Sequence, residues 1–156
     1  MSATARAWAL AGILGAVVVA GDQAVKARIE SSLAPGEVVD VLGPLSLTLA
    51  HNAGVAFGLA GGAGAGLVLV TVAALALIAY VFSRDPERKG MWVAAGLLAG
   101  GALGNLIDRL VAGEVTDYID VGSWPPFNLA DVAITAGVVL MVLIYIRDAE
   151  EGGDDG

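Results

Sequence analysis

Residues 59–82 read LAGGAGAGLVLVTVAALALIAYVF, an unbroken run without a single charged side chain. A helix rises about 1.5 Å per residue and the hydrocarbon core of a bilayer is about 30 Å thick, so roughly 20 such residues cross it. This run is long enough by itself. Three further apolar runs, Ala7–Gly21, Met91–Ile107 and Leu129–Ile146, reach that length once polar ends such as Asp22–Lys26 and Asn105–Arg109 are included. The chain of 156 residues is 57% hydrophobic with a mean hydropathy of +0.79, far more apolar than a soluble domain needs to be. The expected fold is an all-α polytopic membrane protein. Residues 1–147 form one domain with four transmembrane helices at about 7–26, 59–82, 91–110 and 129–147. A small extracytoplasmic β-rich segment completes it.

The formal charge of −8 is concentrated at one end, because DAEEGGDDG at 148–156 holds five acids and no base. That stretch reads as an acidic, disordered tail. Only eight basic residues are present, too few for a nucleic-acid surface. With no Cys there is no disulfide, thiolate metal site or Cys nucleophile. The first twenty-odd residues have the outline of a secretory signal, with Arg6, an apolar run and small residues near Ala20. GDQAVK at 21–26 nevertheless continues the helical spacing and sets Asp22 four residues before Lys26, the favourable order on one helix face.

The loop SRDPERKG at 83–90 carries Arg84, Arg88 and Lys89, the densest basic cluster of the chain. The positive-inside rule puts it in the cytoplasm. Four spans then place both termini there, and the segments at about 27–58 and 111–128 face outward. The first of these mixes β-branched residues with Pro, Gly and Asn and reads as short strands with turns lying against the membrane surface. The second reads as a loop, with Trp124 and Phe127 suited to the interfacial aromatic belt. Gly113 and Gly122 flank Asp117 and make that loop a candidate for motion. In the third run Gly96, Gly100 and Gly104 form one stripe, a surface that lets another helix approach closely.

Ionisable groups at membrane depth are costly, so they pair or work. Asp22 has Lys26. Asp108 has Arg109 beside it and Asn105 on the same face, and an ion pair with Arg109 is expected. Asp40, Glu114 and Asp120 read as solvated charges, and His51 as a surface or packing residue. Asp117 and Asp131 have no Lys or Arg between them. A helical hairpin returns both to the same outer surface. Asn128 and Asp131 also fit an N-cap with an acid at N3, a capping box in outline. Two carboxylates in a poorly hydrated place share one proton, so one activates water while the other donates to the scissile carbonyl. That chemistry needs neither a metal nor a cofactor.

Five stretches, in order along nearly the whole chain, carry a resemblance: GDQAVK, HNAGVAFG, GALGNLIDR, VTDYID and FNLADVAI. Together they resemble lipoprotein signal peptidase, also called signal peptidase II. One departure is Gly21, where the common pattern has a larger apolar residue. The resemblance implies an aspartic endopeptidase of the bacterial cytoplasmic (inner) membrane with its site at the outer face. It would cut signal peptides from diacylglyceryl-modified prolipoproteins on the N-terminal side of the lipidated Cys. Asp117 and Asp131 would be the catalytic pair. Asn52 and Gly54 would bind substrate or cyclic-peptide inhibitors of the globomycin class. Asn105, Arg109 and Asn128 would line the site, with Asp22, Lys26 and Asp108 in support. Its partners would be lipid-modified prolipoproteins and membrane lipids. The rival readings are a small ion-coupled transporter or channel subunit and a scaffold assembling through the glycine stripe. A transporter predicts acids near the midplane and Gly/Pro breaks within spans, whereas here the acids gather at one end and the prolines lie in loops.

Overall fold

In a computed structural model, which describes residues 1–54 and 63–153, four helices and a three-stranded sheet follow one another along the chain. The helices are α1 (Ala3–Glu30), α2 (Ala63–Arg84), α3 (Met91–Val111) and α4 (Leu129–Gly153). The strands are β1 (Val38–Leu42), β2 (Leu45–Asn52) and β3 (Val115–Asp120). All four helices are long and apolar enough to cross a membrane. Helix α1 begins where Ser2 Oγ accepts the Ala5 N–H at 3.1 Å, a side-chain N-cap. It runs without interruption through Asp22 and Lys26 to Glu30. Residues 59–62 of the expected second span lie outside the described residues.

Helix α3 is the hub. Two thirds of its apolar window is buried (67%), against 6% for α2. The glycine stripe explains the contact with α1. A Cβ on Gly96 would stand 2.9 Å from the Ala11 carbonyl oxygen, and one on Gly100 only 2.8 Å from that of Gly15. On an adjacent face of α3, Gly101 meets the Ala130 backbone, and Gly137 of α4 meets that of Ala94. Backbones this close bring dispersion contacts that side chains would block. At the end of the bundle that holds the N-terminus Ala7, Ala11, Phe82, Met91 and Ala95 form a small core, with Trp8 edge-on to Phe82 at 4.6 Å between centroids. Thr4 there donates to Glu87 at 2.6 Å, which sets the N-terminus beside the loop between α2 and α3.

The sheet sits at the other end, antiparallel in the order β1-β2-β3. Hairpin β1–β2 agrees with the strands expected in the first outer segment. The second outer segment differs from the expected loop, because Val115–Asp120 is a paired strand, with Ala50 opposite Asp117 and His51 opposite Thr116. Gly113 and Gly122 bracket it at φ +83° and +84°, a left-handed geometry that glycine adopts freely. Strand β3 also exchanges backbone hydrogen bonds with Phe127, since Ile119 N donates to Phe127 O at 2.8 Å and Phe127 N to Ile119 O at 3.0 Å. This bridge ties the strand bearing Asp117 to the start of α4.

Helix α4 continues to Gly153, six residues into the stretch expected to be a disordered tail. Ala and Glu are strong helix formers, and extending an existing helix avoids the cost of a new nucleus. Residues 154–156 of that tail lie outside the described residues.

Candidate active site

The first turn of α4 exposes N–H groups that have no partner within the helix. Each finds a different one. Leu129 N donates to the Tyr118 hydroxyl (3.2 Å), Ala130 N to Asp22 Oδ1 (3.0 Å) and Asp131 N to Asn128 Oδ1 (3.0 Å). Asn128 N returns a bond to Asp131 Oδ2 at 3.2 Å, completing the capping box. One helix end is thus held by α1, by β3 and by its own cap. Asp131, half-buried, is oriented at its other oxygen by Asn105 Nδ2 from α3 at 2.8 Å.

Asp117 is held in the same way from the sheet. Its Oδ1 accepts from Asn128 Nδ2 at 2.7 Å and its Oδ2 from Asn52 Nδ2 at 3.1 Å. Burial pushes the Asp117 carboxyl up from 3.8 to about 6. The amides of Asn52 and Asn128 and the Lys26 ammonium hold it back, while the Asp131 charge adds to the rise. Asn52 Oδ1 in turn accepts the Gly54 N–H at 2.9 Å, with Gly54 at φ +72°. Asn128, fully buried, touches both carboxylates.

Beneath the two acids lies a buried knot around Lys26. Its ammonium meets Asp22 Oδ2 at 2.7 Å, Asp108 Oδ2 at 2.6 Å and Asn105 Oδ1 at 3.0 Å. Three donors meet three acceptors, as a buried ammonium requires. The contact with Asn105 fixes which end of that amide faces Asp131. The pairing of Asp22 with Lys26 is as expected. The expected pair of Asp108 with Arg109 is not formed, because Lys26 from α1 takes Asp108 instead. Arg109 points elsewhere, with Nη1 donating to the Asn105 carbonyl at 3.3 Å. Its Nε, though buried, has no hydrogen-bond partner among the described residues.

The structure therefore gathers Asp22, Lys26, Asn52, Gly54, Asn105, Asp108, Arg109, Asn128, Asp117 and Asp131 at one end of the helices. Three further contributors were not singled out from the sequence. Gln23 Nε2 donates to Asp108 Oδ1 at 2.7 Å. Thr116 N approaches Asp108 Oδ2 at 3.5 Å, and Tyr118 caps α4. Burial pushes the Tyr118 hydroxyl up to about 12, so it stays neutral. Each lies inside one of the five stretches, Gln23 in GDQAVK and Thr116 and Tyr118 in VTDYID, but no spacing along the chain marked its partner. His51 lies 4.0 Å from Glu114 and is partly exposed, away from this cluster. Gly21 faces Leu129 with ordinary van der Waals room for a Cβ, at 3.6 Å.

Fold and cluster together define a class, a four-span membrane protein with two carboxylates joined through one asparagine at the ends of its helices. Residues 14–147 match the model of a family described as signal peptidase (SPase) II. A lipoprotein signal peptidase of Moorella thermoacetica is 42% identical over 144 residues, covering 90% of this chain and 95% of that one. One from Staphylococcus aureus is 34% identical over 148 residues and covers 91% of each. A solved bacterial membrane enzyme structure, obtained by the in meso method at 1.9 Å, superposes with a TM-score of 0.83 at 34% identity, covering 88% of this chain and 93% of that one. The chain belongs to the signal peptidase II family, membrane-embedded peptidases of the aspartic type. Nothing in these similarities supports the transporter reading.

Proposed function

We propose that Asp117 and Asp131 are the catalytic pair with which this signal peptidase cleaves prolipoproteins whose Cys carries a diacylglyceryl group. The observation that carries the proposal is Asn128, which donates to Asp117 and exchanges capping-box bonds with Asp131. A carboxyl buried on a strand keeps the shared proton more readily than one open to a cavity, so Asp117 is the acid and Asp131 the base. Asp131 takes a proton from water as that water attacks the scissile carbonyl. Asp117 donates to the carbonyl oxygen, and a proton then passes to the leaving amine. Lys26, Asp22 and Asp108 hold Asn105 and α4 in place. Asn52 and Gly54 flank the path of the substrate backbone, where a cyclic peptide of the globomycin class would compete. The basic loop at 83–90 and the N-terminus share the cytoplasmic side of the bacterial inner membrane, and the aspartates lie at its outer face.

The test is cleavage of a diacylglyceryl-modified prolipoprotein by wild type, Asp117→Asn and Asp131→Asn in detergent, with thermal unfolding measured in parallel. Asn keeps the shape but cannot relay the proton, so turnover falls by roughly 10²–10⁴ or more in each variant while folding is retained. A folded variant that cuts near the wild-type rate removes its residue from the chemistry.

A further inference from the structure

Glu30, the last residue of α1, is exposed yet turns its carboxylate to a buried partner. Thr116 Oγ1 donates to Glu30 Oε1 at 2.6 Å, a length typical of a hydroxyl bonded to an ionised carboxylate. Thr116 is only 5% exposed and directly precedes Asp117 on β3. Each of its polar groups is held from a different helix. The hydroxyl is held by α1, the N–H approaches Asp108 Oδ2 of α3 at 3.5 Å, and the carbonyl accepts from Asn128 Nδ2, at the start of α4, at 3.3 Å. The bond to Glu30 is the shortest of the three and the one made by the Thr116 side chain. Beside it Ile29 packs with Leu49 and Tyr118, so the last turn of α1 docks on the sheet through one apolar and one charged contact.

Successive side chains of a strand point to opposite faces. Thr116 therefore turns to α1 while Asp117 turns to Asn52 and Asn128. A strand held on one face at Thr116 presents Asp117 at a fixed depth on the other. Asn128 makes that depth matter. Its Nδ2 carries two hydrogens and has three acceptors in reach, Asp117 Oδ1 at 2.7 Å, Asn105 Oδ1 at 3.1 Å and the Thr116 carbonyl at 3.3 Å. A shift of Thr116 changes how those hydrogens are shared between the strand and the carboxylate. We propose that Glu30 is a positioning residue for peptide cleavage, acting through the Thr116 hydroxyl to fix the strand that aims Asp117. The proposal rests on Asp117 belonging to the catalytic pair. Glu30 works through the strand and not on the reacting atoms.

Thr116→Val, Thr116→Ser, Glu30→Ala and the double variant Glu30→Ala/Thr116→Val are assayed on a diacylglyceryl-modified prolipoprotein in detergent. Asp117→Asn and thermal unfolding are run alongside. Thr116→Val keeps the side-chain shape, leaves no hydroxyl without a partner and returns the exposed Glu30 to water, so it unfolds within about 4 °C of wild type. Its kcat falls by about tenfold or more while KM stays within about twofold, because a displaced acid slows the chemistry without loosening the substrate. Thr116→Ser keeps the hydroxyl and regains most of that kcat. Glu30→Ala loses as much as Thr116→Val, and the double variant loses no more than either. A wild-type kcat in folded Thr116→Val overturns the proposal, as does a loss confined to KM. Losses that multiply in the double variant, or a Thr116→Ser that recovers nothing, overturn it too. All of these outcomes leave the catalytic pair standing as long as Asp117→Asn is folded and inactive. A folded Asp117→Asn that cuts near the wild-type rate removes the pair, and the role of Glu30 goes with it.

Discussion

The two flanks of α3 are built on opposite plans. Towards α1 and α4, glycines remove side chains from the seam and the backbones touch, and a saturated polar knot sits at the end nearer the sheet. Towards α2 there is no such seam. That helix stands off with its apolar surface exposed, leaving a groove on either side. One flank is fixed by close packing and by hydrogen bonds that cannot be exchanged for water. The other is held by side chains alone and leaves α2 largely uncovered by the rest of the chain.

The sharpest way to break the fixed flank is Lys26→Met, which leaves Asp22 and Asp108 buried without their cation. Removing one member of a buried ion pair costs about 3–5 kcal/mol, and thermal unfolding in detergent should register most of it. If the loss is under about 1 kcal/mol, the knot is not what holds the seam. Next comes the pH dependence of stability. The folded protein keeps a proton on Asp117 up to about pH 6 that the unfolded chain releases near 3.8. Stability contributed by this group is therefore fully present below 3.8 and is lost as pH rises through 6, at most about 3 kcal/mol. Unfolding midpoints of wild type minus those of Asp117→Asn, measured across that window, isolate this contribution, and a difference that rises with pH would refute the burial of the carboxyl. The smallest effect compares a glycine in the close seam, Gly100 of α3, with one that faces a groove, Gly12 of α1. Gly100→Ala puts a Cβ 2.8 Å from Gly15 O and Val18 Cβ, costing about 1–3 kcal/mol of overpacking against a helix-propensity gain of about 1. Gly12→Ala meets nothing within 4 Å and keeps the gain. The two midpoints should move in opposite directions.

The parts of the site written in short spacings were legible. Asp22 and Lys26 pair because residues four apart on a helix must face the same way. Asn128 and Asp131 form their capping box for the same reason. Gly96 and Gly100 meet α1 as a stripe of small residues predicts. Where a short spacing competed with a distant partner it misled, as with Asp108 and Arg109. The strand VTDYID was hidden because its pairing partner, residues 46–52, lies far back in the chain. The helical run of 148–153 was hidden for the opposite reason, since charge dominated the reading while helix propensity, a weaker signal, decided the backbone.

What the sequence determined alone was the number of spans, the end at which the acids gather and the local pairs within each helix. These depend on length, hydropathy and a fixed rise per residue. Which helices become neighbours was decided only by the tertiary structure. That choice brought Lys26 to Asn105 across 79 positions and Asn52 to Asp117 across 65. It also buried Asp117 and opened the groove beside Asp131. A buried charge or amide takes whichever partner the packing delivers, and no spacing along the chain encodes that.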